Sequence, residues 1–146
     1  GISVRENVWL ASRRHHKRQA ANKITEEVID RVGLGDIRSS IVGRLAHGER
    51  QWVEIAMVLT SNPVLLLLDE PTAGMTNEET DKTAILIREI SQSAALIVVE
   101  HDMQFIKAIA NKVTVFHQGS ILIEDNVEAV MQNAMVRDIY LGKEKS

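Results

Sequence analysis

The feature that most constrains the fold is an aliphatic run, Val64 to Leu68, that leads into Asp69, Glu70 and Pro71. Pro63 precedes the run, so both of its ends are marked by residues typical of strand boundaries. A strand without polar residues on either face is expected inside a parallel sheet that is covered on both sides. The segment therefore predicts an α/β layered architecture with two carboxylates at a strand end.

A second apolar segment, Ala95 to Val99, is followed directly by Glu100 and His101. Between the two segments, Thr76 and Glu79 have the spacing of a capping box, which predicts the start of a helix. Strand, helix, strand is the order of a layered parallel sheet, and ligands of such sheets bind at the carboxyl ends of the strands. Both predicted strands therefore end where a ligand is expected.

The other elements are predicted from helical spacing, capping residues and turn dipeptides. In the N-terminal part we expect three helices. The first runs from Ser3 to about Arg18, the second from about Thr25 to Gly33, and the third from Glu49 to about Thr60. The helix that starts at Thr76 should continue to Ile90. After the second strand we expect a helix over 103–110, a strand over 113–116, a turn at Gln118 and Gly119, a strand over 121–124 and helical pieces around 127–131 and 136–140.

The amino-acid composition of the chain limits both the kind of core and the classes of function that are possible. Aromatic residues make up only 3% of the chain, so aliphatic side chains must fill the core, as in sheets packed between helices. The absence of cysteine excludes disulfides, thiolate metal sites and a cysteine nucleophile. The basic run over 13–18 has no interleaved aromatic residues, so we expect a solvated helix face and no binding of nucleic acid. No apolar run is long enough to cross a bilayer.

Asp69 and Glu70 are the strongest candidates for chemistry. Neighbouring strand residues point in different directions, so one carboxylate can hold a metal ion while the other faces a reacting group. In phosphoryl transfer Asp69 would hold Mg²⁺ through its water shell, and Glu70 would polarise the attacking water. The alternative is an acidic turn that only follows a buried strand.

Two further features of the sequence are suited to binding a phosphate group. The segment before the third predicted helix would direct backbone amides and the helix dipole at an anion. A plain helix start capped by Gly48 is the alternative. His101 could donate a hydrogen bond to a terminal phosphate, although a lone histidine at a strand end is often structural. The residues of the first feature are Leu45, Ala46, His47, Gly48 and Glu49.

In combination and in chain order, these residues resemble the nucleotide-binding subunits of ABC transporters over almost the whole chain. Leu45 to Glu49 takes the place of the family's signature loop, Leu65 to Pro71 resembles its Walker B segment, Ala73 and Gly74 begin its D-loop, which runs to Thr76, and His101 resembles its switch histidine.

The resemblance implies a P-loop NTPase-like fold, with a layered, mostly parallel sheet and a small helical subdomain. Residues 1–60 would form the helical subdomain with the signature loop and its helix, and residues 61–146 would form the C-terminal part of the ATPase core. The Walker A sequence Gly-x-x-x-x-Gly-Lys-Ser/Thr does not occur. Because the chain also opens on Gly1, we expect a truncated fragment that is inactive alone and self-associates through uncovered apolar surface.

For the full-length parent the resemblance implies ATP and Mg²⁺ as cofactors. Asp69 would be the metal residue, and Glu70 and His101 would be catalytic. The signature loop, with Ala73 and Gly74, would contact ATP held by a second ATPase subunit, in a homodimer or a heterodimer. Transmembrane permease subunits would be the other partners, which would place the protein peripherally on the cytoplasmic face of the inner (plasma) membrane.

The sequence departs from the usual signature Leu-Ser-Gly-Gly-Gln at three positions, which are Ala46, His47 and Glu49. Within the family, stretches such as Gly74 to Thr80 and Val99 to Met103 are similar to ATPases of urea uptake and, next to them, of branched-chain amino acid uptake. The expected function is thus the ATP-hydrolysing part of such an importer. A non-catalytic ABC-like binding or regulatory module is the alternative.

Overall fold

The structure is a computed structural model that describes residues 1–141, which divide into two compact units, Gly1–Val98 and the part from Val99 onward. The helices of the first unit are α1 (Val4–Arg13), α2 (Arg18–Val32), α3 (His47–Leu59) and α4 (Asn77–Ile90), with 3-10 turns at Gly35–Ile37 and Val42–Arg44. Its strands are β1 (Leu65–Asp69) and β2 (Ala95–Val99), the latter ending at the boundary. The second unit contains α5 (Met103–Ile109), β3 (Lys112–His117), β4 (Ser120–Asn126), α6 (Val127–Gln132), α7 (Ala134–Val136) and a π-helical turn at Arg137–Leu141.

The first two helices have the predicted capping residues, but their lengths differ from the prediction. Ser3 and Glu6 form the capping box of α1, and Gly33 ends α2 in the left-handed conformation. The predicted end of α1 near Arg18 and start of α2 near Thr25 are wrong, because α1 stops at Arg13 and α2 already begins at Arg18. No glycine or proline marks this boundary, so the sequence offers no stop signal there.

Strands β1 and β2 form a parallel pair. The amide of Ala95, the first residue of β2, donates to the carbonyl of Val64 just before β1, at 3.0 Å. The two strands therefore begin at the same edge, and α4 is the crossover that joins them.

One face of this pair is packed and the other is open. Leu66 is buried in a core with residues of α1, α2, α3 and α4, and Leu68 and Leu96 pack against it. On the opposite face Leu67 is 67% exposed and Ile97 is 56% exposed. The expectation that β1 is covered on both faces is therefore wrong for the first unit taken by itself, since its helices pack on one face of the strand pair only.

The second unit is built on the β3–β4 hairpin. The antiparallel register runs from Lys112 opposite Asn126 to His117 opposite Ser120, with a bulge after Val115. Gln118 and Gly119 both have positive φ, as a two-residue hairpin turn with the right twist requires. The predicted turn is confirmed, and both strands extend beyond the predicted bounds.

The α/β class is confirmed, as one parallel and one antiparallel pair. The predicted boundary after residue 60 stays a prediction, and in the structure the helices before it share a core with Leu66 and α4. Within residues 1–141, no helix combines the length and apolar character needed to cross a bilayer.

Two isoleucines on α4 test the position of the core. Ile87 is 1% exposed and Ile85 is 66% exposed. Ile87→Ala should lower the free energy of unfolding by about 2–5 kcal/mol, because it leaves a cavity. Ile85→Ala, the matched control, should change it by less than about 0.5 kcal/mol. Urea denaturation measures both, and equal losses would contradict the assigned orientation of α4.

Candidate functional site

The two carboxylates at the end of β1 lie on the surface and differ in backbone conformation. Asp69 is the last residue of the strand, and Glu70 follows it with φ of 44°, in the left-handed region. Such a conformation is strained for a residue other than glycine and is concentrated at functional sites. The carbonyl of Glu70 accepts from the amide of Ala73 at 3.1 Å, and Pro71 and Thr72 are buried behind the turn. The turn thus anchors both acids while their carboxylates stay accessible.

A pocket of about 210 Å³ opens beside Asp69. It lies between β1 and α3, with Gln51 and Glu54 as its other polar residues and aliphatic side chains as the remainder of its lining. Across the described part of the chain there is no cluster of three or more side chains able to hold a metal ion. Asp69 alone nevertheless suits Mg²⁺, which keeps several waters and takes one or two carboxylates together with phosphate oxygens.

The predicted start of α3 is corrected by two residues. The N-cap is Ala46, not Gly48, and the helix begins at His47. Ala46 lacks a capping side chain, but the carboxylate of Glu49 accepts from the Ala46 amide at 2.9 Å. Gly48 is buried in the first turn. The amides of His47, Gly48 and Glu49, which no intrahelical carbonyl can reach, form the positive end of the helix dipole.

The structure brings the start of α3 together with the turn that follows the carboxylates. Gly74 has φ of 70°, and a Cβ placed on it would lie 3.6 Å from Cδ2 of His47. Ala73 is the preceding residue of the same turn, and the amide of Met75 donates to Thr72 at 3.1 Å. Leu45 is buried beneath the start of α3. The predicted nucleotide-contacting residues of the first unit therefore share one surface region.

Three residues of this region were not predicted to belong to it: Trp52, Thr83 and Glu79. The indole of Trp52 on α3 donates to Oγ1 of Thr83 on α4 at 2.8 Å, and that hydroxyl in turn donates to the Glu79 carbonyl at 2.8 Å. The capping-box spacing identified Glu79 only as part of a helix start. No signal in the sequence connects α4 to α3, because the two segments are distant along the chain.

In the second unit, Glu100 organises the loop that presents His101. The Glu100 side chain is 1% exposed, whereas that of His101 is 73% exposed. Oε2 of Glu100 accepts from the backbone amides of His101 at 2.8 Å and Asp102 at 3.3 Å, and lies 3.5 Å from Nδ1 of His101. Asp102 then caps α5 by accepting from the amide of Gln104 at 2.9 Å. The predicted gathering of His101 with Asp69 and Glu70 stays a prediction.

The family profile described as ABC transporter matches residues 1–73, half of the chain. This match, together with the carboxylate pair and the α3 start, shows the class of protein. The chain belongs to the ABC transporter family, as an ATP-binding domain.

Curated relatives include the branched-chain amino acid transport ATP-binding protein BraF of Pseudomonas aeruginosa, which is 32% identical over 79% of this chain and 46% of its own length. The arginine transport ATP-binding protein ArtM of Bacillus subtilis is 32% identical over 85% of this chain and 53% of its own length. The chain thus spans about half the length of the curated relatives it matches.

Solved structures confirm the fold. MJ1267, an ATP-binding cassette of an ABC transporter in its ADP conformation, matches 97% of this chain and 63% of its own chain, with a TM-score of 0.82 and 20% identity. The structure of cbiO1 from Clostridium perfringens, part of the ABC transporter complex cbiONQ, matches 96% of this chain and 57% of its own, with a TM-score of 0.83 and 24% identity. The expected P-loop NTPase-type fold is therefore confirmed.

Hydrogen bonds from the amide and hydroxyl of Thr76 lower the pKa of Glu79 below its ordinary value of 4.5, and the charge of His47 acts in the same direction. Because the folded pKa lies below the unfolded one, this contribution to stability is complete above about pH 5 and is lost as the pH falls through the folded pKa. Glu79→Gln should therefore lose less stability than the wild type between about pH 5 and pH 3.

Thermal unfolding at several pH values measures this difference. Glu6→Gln should act in the same direction, because Ser3 lowers the pKa of Glu6 in the capping box of α1. If Glu79→Gln and the wild type had superimposable pH profiles, the capping role of the ionised carboxylate would be refuted.

Proposed function

We propose that the chain is the C-terminal portion of the ATP-hydrolysing subunit of an ABC importer. The observation that carries the proposal is the proximity of the start of α3 to the turn after Asp69 and Glu70, where Cδ2 of His47 lies 3.6 Å from the point that a Cβ on Gly74 would occupy. An anion-attracting helix start and a carboxylate pair therefore border one surface region, within a fold that matches ATP-binding cassettes.

The residues have distinct roles in this proposal. Asp69 would hold hydrated Mg²⁺, and Glu70 would orient the attacking water and accept its proton. The amides of His47, Gly48 and Glu49 bind phosphate oxygens of ATP held by a second subunit, with Leu45, Ala46, Ala73 and Gly74 lining the contact. His101 donates a hydrogen bond to the terminal phosphate. Bound Mg²⁺ supplies neutralising charge to the phosphates.

This arrangement requires partners. A second ATPase subunit, identical or related, completes each nucleotide site, and transmembrane permease subunits receive the resulting motion. The protein would then act peripherally at the cytoplasmic face of the membrane. For the transported substrate we propose urea or branched-chain amino acids. The resemblance of stretches such as Gly74 to Thr80 and Val99 to Met103 supports both, and the names of relatives such as BraF support branched-chain amino acids.

A non-catalytic ABC-like binding or regulatory module is the second candidate. Ala46 favours it, because it lacks the hydroxyl that the usual signature serine would offer to a phosphate oxygen. Coding sequence immediately upstream of Gly1 separates the two candidates: a Gly-x-x-x-x-Gly-Lys-Ser/Thr there supports the ATPase, and its absence supports the module.

The chain as it stands should release no phosphate from Mg-ATP above background, because nothing in its sequence cradles the β and γ phosphates. A coupled phosphate assay measures this, with Glu70→Gln as the matched control. In a cassette that includes a Walker A loop, Glu70→Gln should abolish turnover and preserve nucleotide-dependent dimerisation. Turnover by the present chain that disappears in Glu70→Gln would refute its inactivity but support the role of Glu70.

The chain should also self-associate through the open face of the β1–β2 pair, where Leu67 and Ile97 are exposed. Leu67→Lys should shift the weight-average mass towards the monomer in multi-angle light scattering, because it places a charge on that face. Ile85→Lys, which charges an exposed position on α4, is the control. A wild type that is monomeric at all concentrations would contradict the proposal.

A further inference from the structure

The carboxylate of Glu79 lies directly against the backbone of Gly48. A Cβ placed on Gly48 would lie 2.7 Å from Oε1 and 2.9 Å from Cδ of Glu79. Both distances are well below the separation of about 3.5–4.0 Å at which such atoms make favourable contact. Position 48 therefore has no room for a side chain as long as Glu79 keeps its place.

Hydrogen bonds hold Glu79 in that place. Its Oε2 accepts from the amide of Thr76 at 2.8 Å and from the Thr76 hydroxyl at 3.0 Å, which leaves Oε1 directed at Gly48. The backbone is fixed as well, because the Glu79 carbonyl accepts from Thr83, the residue that binds Trp52 of α3. Moving the carboxylate aside would break the capping box of α4, which typically contributes about 1 kcal/mol.

The same position is electrostatically favourable. An anionic side chain beside the first turn of α3 interacts well with the positive end of that helix dipole, and Glu79 also caps its own helix α4. The lowered pKa of Glu79, caused first by Thr76 and in part by His47, agrees with a carboxylate that is ionised at this location. One side chain thus serves the starts of two helices.

We propose that Glu79 is a positioning residue that fixes the start of α3 against the start of α4, and that glycine is preferred at position 48 because the Glu79 carboxylate occupies the space beside it. The preference for glycine is then internal to the chain. It differs from the requirement that a bound phosphate would impose, which is close approach of the ligand to the backbone.

This inference deepens the proposed function and rests on it in one respect, which is the use of the α3 amides to bind phosphate. Glu79 sets the distance between those amides and the turn at Ala73 and Gly74. A change at Glu79 would therefore displace the amides without touching nucleotide. The coupling between Glu79 and Gly48 itself can be tested on this chain without nucleotide.

The test is a double-mutant cycle on thermal stability. Gly48→Ala alone should lower Tm by about 5 °C, because the methyl group meets the carboxylate. In the Glu79→Ala background the same substitution should leave Tm unchanged or raise it slightly, since alanine is a better helix former than glycine. In the Glu79→Gln background the loss should persist, because glutamine has nearly the same size. Gly43→Ala, where no atom lies within 4 Å, is the matched control.

An NMR resonance can report the position of α3 relative to α4, independently of stability. The indole N–H resonance of Trp52 should move in Gly48→Ala and return towards its wild-type position in the double variant, because Trp52 bridges α3 and α4. The indole of Trp9 donates to Asn22 between α1 and α2, so its resonance should stay in place throughout. If Gly48→Ala alone does not fold, folding of the double variant would support the proposal equally.

Two results would overturn it. One is an equal loss of Tm from Gly48→Ala in the wild-type and Glu79→Ala backgrounds, and the other is no loss in the wild type. Because the cycle contains no nucleotide, its failure would leave the proposed roles of Asp69 and Glu70 intact. Equally, a phosphate assay that contradicted the roles of Asp69 and Glu70 would leave the coupling between Glu79 and Gly48 intact.

Discussion

The burial of one face of the β1–β2 pair under the helical core is the constraint on which the first unit depends. Leu66 contributes to a core that also contains residues of α1, α2, α3 and α4, and burying a leucine side chain stabilises by about 1.5–3 kcal/mol. Because strand side chains alternate, fixing Leu66 inward also fixes the direction of its neighbours. The end of β1, with Asp69 and Glu70, is thereby held at a defined edge of a rigid body.

The contact between α3 and α4 transfers that rigidity to the candidate site. Trp52 and Thr83 join the two helices by a hydrogen bond, and Gly48 and Glu79 join their first turns by close packing. The proposed function assigns no contact with ATP to Trp52, Thr83 or Glu79. Of the four residues, only Gly48 would contact ATP, and only through its backbone. In the proposed function, the amides of His47, Gly48 and Glu49 would therefore be positioned by side chains that do not themselves contact the nucleotide, as is common for sites built on rigid elements.

Local signals in the sequence predicted most of the helices, strands and turns, but not the contacts that assemble the candidate site. The capping boxes at Ser3 and Thr76 and the Gln118–Gly119 turn were confirmed, because each depends on a few neighbouring residues. The break between α1 and α2 was predicted too far along the chain, because no glycine or proline marks its true position. The open face of β1 was missed because a strand that is apolar on both faces does not show that one of them is left uncovered, and the link from Glu79 to Gly48 was missed because it depends on tertiary packing.

Residue-resolved hydrogen exchange in low denaturant tests the central claim most directly, because it measures whether α3, β1 and α4 open as one unit. The account predicts that the slowest amides of these three elements share one opening free energy, equal to that of global unfolding. A separate, lower-energy opening of α4 or β1 while α3 stays protected would contradict the claim that one packed body carries the candidate site.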